Sequence, residues 1–236
     1  MDEKTLRWER LEETVVNCRR CPRLVEWREE VARTRRRMYR DEEYWGRPIP
    51  GWGDREARVL VVGLAPAAHG GNRTGRVFTG DRSGDFLFRA LHKAGFANQP
   101  TSVRRGDGLA LHDLYIAAVC RCAPPANKPT PAEIENCLPY LREELSLLNG
   151  LECIVVLGKI AFDYTLKLYR GMGHSIPRLD FGHGAVHKMG EGLPWLVVSY
   201  HPSQQNTQTG RLTEEMFDQV WETARGLLSR PRHGPA

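Results

Sequence analysis

The sequence predicts an α/β fold in which a mostly parallel sheet is covered by helices on both faces. Short apolar runs typical of buried strands alternate along the chain with longer segments of helical pattern. The first run, in VLVVGLAPAAHGG at residues 59–71, ends in a tight loop of small residues. Open α/β sheets bind their ligands beyond the carboxyl ends of such strands. We therefore expect a ligand site at this loop.

The elements can be assigned in chain order. The N-terminal part, to about residue 44, is predicted to be helical, with CRRCP separating two helices. The Gly- and Pro-rich stretch YWGRPIPGWGD is predicted to be a loop that leads to the first strand. Further buried strands are predicted at residues 114–120, 153–158 and 196–200.

Four helices are predicted between and after these strands, in DFLFRALHKAG, TPAEIENCLPYLREELSLL, KIAFDYTLKLY and TEEMFDQVWETARGLL. The second has a clear start signal. Thr130 is suited to the N-cap, Pro131 to the first helical position and Glu133 to the third, which together predict a capping box.

Length and charge limit the class of protein. A chain of 236 residues fits one domain, predicted at residues 1–229, and the tail RPRHGPA at 230–236 is predicted to be disordered. The highly charged start and the lack of a long apolar run predict a cytoplasmic protein that does not bind membranes. The chain has 34 Lys and Arg against 29 Asp and Glu, and RTRRRMYR at 33–40 concentrates basic charge. This favours nucleic acid as a partner, although most such runs are simply solvated.

The six cysteines indicate metal binding, redox chemistry or burial, because disulfides are rare in the cytoplasm. Cys18 and Cys21 form a CxxC on a turn, and Cys137 lies two turns into the helix that begins after Thr130. Cys120 and Cys122 lie on the same side of a strand, so either could be a further ligand. Four thiolates suit Zn²⁺ or an iron–sulfur cluster. Cys153 begins an apolar strand and is predicted to lie in the core.

Three stretches carry a resemblance to a known family. GLAPAAHGG, RCAPPANKPTPAEIENC and SYHPSQQNTQTGRLT occur in this order and resemble the motifs of the uracil-DNA glycosylase superfamily, specifically its family 5 branch of thermostable iron–sulfur enzymes. The resemblance extends from the CxxC to the last helix. It implies a three-layer α/β/α domain with a central four-stranded parallel sheet, and a structural [4Fe-4S] cluster. The implied cluster ligands are Cys18, Cys21, Cys122 and Cys137.

The resemblance also implies an activity: hydrolysis of the N-glycosidic bond of uracil, flipped out of double-stranded DNA by a monomeric enzyme. His201, in SYHPS, is expected to donate a hydrogen bond to uracil O2 as negative charge develops on the leaving base. Other branches carry a polar residue in the first motif, where this chain has only Leu64 and Ala65. Asn72 is therefore the candidate for holding the attacking water. No lysine nucleophile occupies the motifs, which predicts an enzyme that leaves an abasic site without cutting the strand.

The expected base pocket contains few polar side chains. Its members are Gly63, Leu64, Ala65, Phe78 and Ala118. Phe78 matches the aromatic residue that stacks on the base, and a core Phe is the competing interpretation. Ala118 stands where the related family 4 enzymes carry a base-reading Asn. Loss of that polar partner predicts a wide range of substrates, with uracil first and deaminated purines after it.

The QQNTQTG stretch is expected to enter the duplex with amide side chains in place of an apolar wedge. Flipping is easiest at a mismatch, so G·U pairs should be cut faster than A·U pairs. The residues expected to contact DNA are Ser203, Gln204, Gln205, Asn206, Arg73 and Arg211, with Arg76 as a further candidate for a phosphate contact. Two other functions compete. A P-loop enzyme is disfavoured because GLAPAAHGG lacks GK[ST], and the alternative is an iron–sulfur or zinc DNA-binding module without glycosylase activity.

Overall fold

The computed structural model describes residues 2–228, which form a mixed sheet flanked by helices. The six strands have the spatial order β1-β3-β2-β4-β6-β5. The four inner strands run parallel, and each edge strand pairs antiparallel with its neighbour. The strands are β1 Trp52–Gly53, β2 Val59–Gly63, β3 Leu114–Ala118, β4 Cys153–Leu157, β5 Val186–Lys188 and β6 Trp195–Ser199.

The expected α/β class is confirmed, but the expectation of a four-stranded parallel sheet is wrong. The four predicted strands are the inner ones, and their observed ends lie within two residues of the predicted ends. The two additional strands are only two and three residues long. Their residues are half-buried or exposed, so neither strand has the continuous apolar run by which a buried strand is recognised.

Helices cover both faces of the sheet. In β2, Leu60 and Val62 belong to one core cluster and Val59 and Val61 to another, because successive side chains point to opposite faces. Side chains from α1, α2, α5 and α6 pack in the first cluster, and side chains from α4 and α8 pack in the second. The helices are α1 Glu3–Val16, α2 Pro22–Thr34, α3 Gly71–Thr74, α4 Arg82–Lys93, α5 Pro131–Leu147, α6 Lys159–Gly171, α7 Gln204–Gln208 and α8 Glu214–Gly226, with short 3-10 helices at Arg37–Tyr39 and Pro125–Asn127.

The predicted capping box at the start of α5 is confirmed. The Thr130 hydroxyl accepts a hydrogen bond from the Glu133 amide at 3.3 Å, and the Glu133 carboxylate accepts one from the Thr130 amide at 2.7 Å. Glu133 also accepts hydrogen bonds from Arg23 on α2, so the start of α5 is tied to the segment that follows the CxxC.

The sheet brings the three sequence motifs to one edge. Gly63 pairs with Ala118, and Leu157 pairs with Ser199, so the carboxyl ends of all four inner strands lie side by side. The single-domain boundaries stay a prediction, and the tail at 230–236 lies outside the described residues. None of the helices within residues 2–228 has the length and apolar character needed to cross a membrane.

Candidate base pocket and cysteine cavity

Phe78 is held in an unusual conformation above the end of β2. Its φ angle is +53°, a left-handed value that is rare for an aromatic residue. Gly63 allows the ring to lie against the strand, because a Cβ atom there would come within 2.9 Å of two ring carbons. Gly84 leaves space for the Phe78 carbonyl in the same way, because a Cβ atom at Gly84 would lie 2.0 Å from the carbonyl oxygen. Strained, over-determined residues of this kind cluster at functional sites.

His201 lies beside Phe78 at the end of β6. The two ring centroids are 5.8 Å apart and the rings are tilted by 32°. Burial lowers the pKa of His201 to about 4, so the imidazole is neutral at pH 7. Across residues 2–228, neither ring nitrogen has a hydrogen-bond partner, which leaves one N–H free to donate to a ligand.

A largely apolar pocket opens beside His201. Its volume is about 310 Å³, a size that suits a small ligand. We call it the His201 pocket, and its lining residues are Leu64, Leu157, Gly158, Lys159, Ile160, Ala161, Phe181, Tyr200, His201, Asn206 and Arg211.

The predicted base-binding residues converge at this edge. Gly63 and Ala118 are buried and face each other across β2 and β3, and Leu64 lies in the wall of the His201 pocket. Ala65, the next loop residue, is half-buried. Backbone amides after β3 donate to the carbonyls of Gly63 and Leu64, at 3.0 and 2.9 Å, which fixes the start of the loop.

The SYHPSQQNTQTG segment divides into inward and outward side chains. Asn206 donates a hydrogen bond from Nδ2 to the His201 carbonyl at 2.8 Å, so it helps to fix the backbone at His201. Gln204 and Gln205 are exposed, and Ser203 is the half-buried N-cap of α7. Arg211 is exposed, with its guanidinium 4.5 Å from the centre of the Tyr200 ring. The segment therefore presents Gln204, Gln205 and Arg211 outward.

The Asn72 side chain is held against α2. It is fully buried, its Nδ2 donates to the Arg28 carbonyl at 3.1 Å, and its Oδ1 has no partner within the part of the chain that the structure describes. It does not line the His201 pocket. The structure therefore joins the first motif to α2 through Asn72.

The two arginines near the first motif are buried instead of exposed. Arg73 donates to the carbonyls of His69 and Gly80, at 2.8 and 2.9 Å, and forms an ion pair with Glu42. Arg76 forms an ion pair with Asp107 at 2.7 Å. Both guanidinium groups contact protein atoms, so these arginines organise the loops around the pocket.

Sequence reasoning missed Asp81, three residues after Phe78. One carboxylate oxygen accepts a hydrogen bond from the Gly84 amide at 2.9 Å, at the start of α4. The other oxygen lies against Gly70 of the first motif, where a Cβ atom would come within 2.0 Å of it. Burial raises the pKa of Asp81. An acidic N-cap in TGDRSG is the sequence signal for this residue, but it lies outside the first motif.

The four cysteines implied as ligands line a second cavity, which we call the cysteine cavity. Cys18 and Cys21 come from the α1–α2 turn, Cys122 follows β3, and Cys137 lies on α5. The cavity is also lined by Arg20, Leu24, Val25, Arg28, Pro48 and Arg121. The sequence-distant cysteines are therefore brought to one place.

Hydrogen-bond donors point at the sulfur atoms of the cysteine cavity. Arg28 donates from Nη1 to Cys122 Sγ at 3.0 Å, and Asn136 donates to Cys21 Sγ at 3.4 Å. Burial raises the pKa of Cys122 to about 12, whereas a hydrogen bond from Cys120 lowers the pKa of Cys137. Within residues 2–228, no three His, Cys, Asp or Glu side chains are arranged to hold a metal ion. The donor set, four thiols with cationic and amide donors, fits a thiolate-ligated cluster.

The remaining two cysteines are buried. Cys120 is within hydrogen-bond distance of Cys137, and its Sγ is 3.6 Å from the Cys122 carbonyl. Cys153 is fully buried at the start of β4, as predicted for a core residue.

The fold and the site define the class of protein: an open α/β protein whose pocket lies at the carboxyl ends of parallel strands, the position at which this class binds its ligands. The sequence model of a protein family, the uracil DNA glycosylase superfamily, matches residues 50–225 of this chain. The chain belongs to this superfamily.

The relatives point to one branch of the superfamily. The chain is 54% identical over 211 residues to the type-5 uracil-DNA glycosylase of Mycobacterium tuberculosis, covering 89% of this chain and 78% of that protein. It is 51% identical over 215 residues to the type-5 enzyme of Thermus thermophilus, covering 91% and 95%. A type-4 uracil-DNA glycosylase of Pyrobaculum aerophilum is 29% identical over 198 residues, covering 83% and 82%. The chain is thus much more similar in sequence to these type-5 enzymes than to the type-4 enzyme.

Proposed function

We propose that this protein is a uracil-DNA glycosylase, which hydrolyses the N-glycosidic bond of a uracil flipped out of double-stranded DNA. One observation supports this most strongly: the neutral His201 imidazole has a free ring nitrogen at the His201 pocket and lies beside the strained Phe78 ring. The type-5 relatives carry this activity in their names.

The chemistry can be assigned to groups that the fold provides. The bond between uracil N1 and C1′ of the sugar breaks, and its electron pair stays on the uracil. The N–H of His201 then donates to uracil O2 and stabilises the developing negative charge. A water molecule adds its oxygen to C1′ and releases one proton, and the uracil anion takes up one proton from solvent, so the products are free uracil and an abasic site. The expected stack of the base on Phe78 would hold it in line with His201.

We propose that Asp81, and not Asn72, holds the attacking water and accepts its proton. Asp81 has an oxygen directed at the first-motif loop, and its raised pKa makes it a better proton acceptor than an ordinary carboxylate. Neither residue lines the His201 pocket, but the Asn72 side chain is already held against α2 by its hydrogen bond to the Arg28 carbonyl. We propose that Asn72 instead fixes the position of the loop.

We further propose that the pocket accepts deaminated bases other than uracil. Ala118 is buried and offers no side-chain hydrogen bond, so base discrimination depends on backbone groups. Gln204, Gln205 and Arg211 are the outward side chains for contact with the duplex. Because a mismatched base is easier to flip, G·U pairs should be processed faster than A·U pairs.

We propose that the cysteine cavity holds a [4Fe-4S] cluster through Cys18, Cys21, Cys122 and Cys137. When bound, the cluster supplies a cross-link and takes no part in bond cleavage. The residues of the cysteine cavity support this role. Arg28 spans the cavity, since its Nη1 donates to Cys122 and its Nη2 donates to the Cys18 carbonyl at 3.2 Å. A link between the α1–α2 turn and the segment after β3 would stabilise the loops beside the pocket.

The proposed activity can be tested with a labelled duplex that carries one uracil. We expect strand breakage only after alkali, because the enzyme leaves an abasic site, and none in a duplex with thymine in place of uracil. Binding of the uracil duplex without any alkali-labile product would contradict the proposal and favour the DNA-binding module. Breakage before alkali would contradict the monofunctional assignment.

A further inference from the structure

The run RTRRRMYR forms an exposed basic segment, defined as residues 33–40. Its five arginines are all exposed, with side-chain exposures of 76% for Arg33 and 73% for Arg40. Without them, basic and acidic side chains would be equal in number, since the chain has 34 Lys and Arg against 29 Asp and Glu. The segment therefore carries a charge equal to the whole net charge of the protein.

Among residues 2–228, the side chains of Arg36 and Arg37 have no hydrogen-bond or ion-pair partner, and the Arg35 side chain donates only to backbone carbonyls. In the part of the chain from residue 2 to residue 228, no carboxylate lies within ion-pair distance of Arg36 or Arg37. Arg33 pairs with Glu30 on the same helix, and Arg40 lies 3.6 Å from the exposed Asp41. Exposed pairs of this kind are weak and yield readily to a stronger anion.

The backbone of the basic segment is fixed, which distinguishes it from a solvated helix face. Arg35, the residue after α2, has a φ angle of +51°, and its side chain donates to the carbonyl of Arg40 at 2.9 Å, so the chain turns back on itself. The Tyr39 amide donates to the Arg36 carbonyl at 2.8 Å within the following 3-10 helix. The exposed arginines are thus presented on an ordered turn.

The basic segment is attached to the first motif. The Arg73 guanidinium stacks 4.0 Å from the centre of the Tyr39 ring and also contacts the His69 carbonyl. Tyr44 Oη lies 3.0 Å from His69 Nδ1 and 3.5 Å from the Arg36 amide. His69 belongs to the loop that starts at Leu64 in the wall of the His201 pocket. The arginines are therefore held beside the loop at which the damaged base is proposed to bind.

We propose that the basic segment binds the phosphate backbone of the duplex that flanks the damaged base, chiefly through Arg36, Arg37 and Arg40. The inference rests on the proposed function, because that function places a DNA duplex at the neighbouring pocket. Guanidinium groups suit this role, since they donate two parallel hydrogen bonds to a phosphate and keep their charge at any physiological pH. The contact carries no sequence information and would serve binding at any damaged site.

The test uses the full-length protein with all three arginines changed, Arg36→Ala, Arg37→Ala and Arg40→Ala. Arg35 is left intact because it shapes the turn. Affinity for an undamaged duplex is measured from about 50 to 200 mM salt, where each lost phosphate contact lowers the salt slope by about 0.9. For three lost contacts, we expect the slope to fall by about two to three and the affinity at low salt to fall by about tenfold or more. The corresponding lysine variant should keep most of the slope.

A matched control removes the same charge elsewhere. Arg10, Arg142 and Arg178 are exposed and lie on α1, on α5 and after α6. Their triple alanine variant should keep the wild-type salt slope and the wild-type rate of excision. Melting curves of both triple variants should match that of the wild type, because the changed side chains are exposed.

The outcomes separate the inference from the function on which it rests. If the wild type excises uracil but the Arg36, Arg37 and Arg40 variant keeps its full salt slope, the inference is overturned and the proposed function stands. An equal loss in the control variant also overturns it, because the effect would then belong to net charge alone. If the wild type does not excise uracil, the proposed function fails first, whatever the slope.

Discussion

The His201 pocket and the cysteine cavity handle charge in opposite ways. The pocket is lined mainly by apolar side chains, and burial keeps its histidine neutral by lowering the pKa to about 4. The cysteine cavity combines four thiols with Arg20, Arg28 and Arg121, and its sulfur atoms accept hydrogen bonds from neighbouring side chains, among them Arg28 and Asn136. The first arrangement suits the proposed reaction, in which negative charge develops on the leaving base, and the second suits the proposed thiolate-ligated cluster.

This difference indicates a division of labour. A neutral, apolar pocket strengthens a hydrogen bond to a developing anion, because an apolar lining screens the charge little. Cationic and amide donors suit thiolates that ligate a cluster, whereas burial by itself raises the pKa of Cys122 to about 12. We therefore expect changes in the pocket to affect the rate of excision and changes in the cysteine cavity to affect stability. Four predictions test that contrast.

The largest effect is expected for His201→Ala. Loss of the only donor proposed for uracil O2 should lower the single-turnover rate of excision by about 10²- to 10³-fold, as for removal of other oxyanion donors. The melting temperature should change little, since the imidazole makes no hydrogen bond within the described residues. His92→Ala, at an exposed site on α4, is the control and should keep the full rate. A single-turnover rate for His201→Ala within about threefold of the wild-type rate would remove this residue from the chemistry.

Cys137→Ala should act mainly on stability. Removal of one proposed ligand should abolish the visible absorption of the anaerobically purified protein and lower the melting temperature by roughly 6–12 °C, if the cross-link contributes about 3 kcal/mol. Cys120→Ala is the decisive control, because either Cys120 or Cys122 could be the ligand from sequence alone. It should keep the iron. Retention of the full iron content by Cys137→Ala would contradict the proposed ligand set.

A smaller effect on rate is expected for Gly63→Val. A side chain at this position would meet the Phe78 ring at 2.9 Å and force it away from the strand. Excision should fall by roughly tenfold, since base stacking contributes about 1 to 3 kcal/mol. Gly182→Val is the matched control, because a Cβ atom at Gly182 meets nothing within 4 Å. Equal rates for the two variants would show that Phe78 does not position the base.

The smallest effect is expected from pH. With a pKa of about 4, His201 stays neutral from pH 6 to pH 8, so its contribution to the single-turnover rate should be flat over that interval. A rate that tracks an ordinary histidine pKa of about 6.5 would contradict this. The free energy of unfolding, unlike the rate, should depend on pH below about 6.5. The unfolded chain binds a proton at His201 more readily than the folded protein, so stability should fall as the pH drops from about 6.5 towards 4.

Much of this architecture could be predicted from the sequence. The inner strands are recognisable because they are continuous apolar runs, and the start of α5 because Thr130 and Glu133 have the spacing of a capping box. The CxxC and the motif cysteines were also recognisable as a set. The edge strands were not, because strands of two and three residues carry no periodic pattern.

Side-chain direction was harder to predict than the elements. Arg73 and Asn206 were both expected to contact DNA, yet Arg73 is buried against Glu42 and Asn206 faces the His201 carbonyl. Asp81 was overlooked because its neighbour Gly70 is distant in sequence and adjacent only in the fold.

The sequence by itself determined the α/β class, the order of the motifs and the residue types at the two sites, since strand and helix periodicity and turn residues act over short distances along the chain. Only the tertiary structure decided which polar side chains face solvent and which are buried. Burial, the pKa of His201 and the attachment of the basic segment to His69 all depend on neighbours from distant elements. Desolvation and ion pairing are set by that three-dimensional packing, which no local pattern specifies.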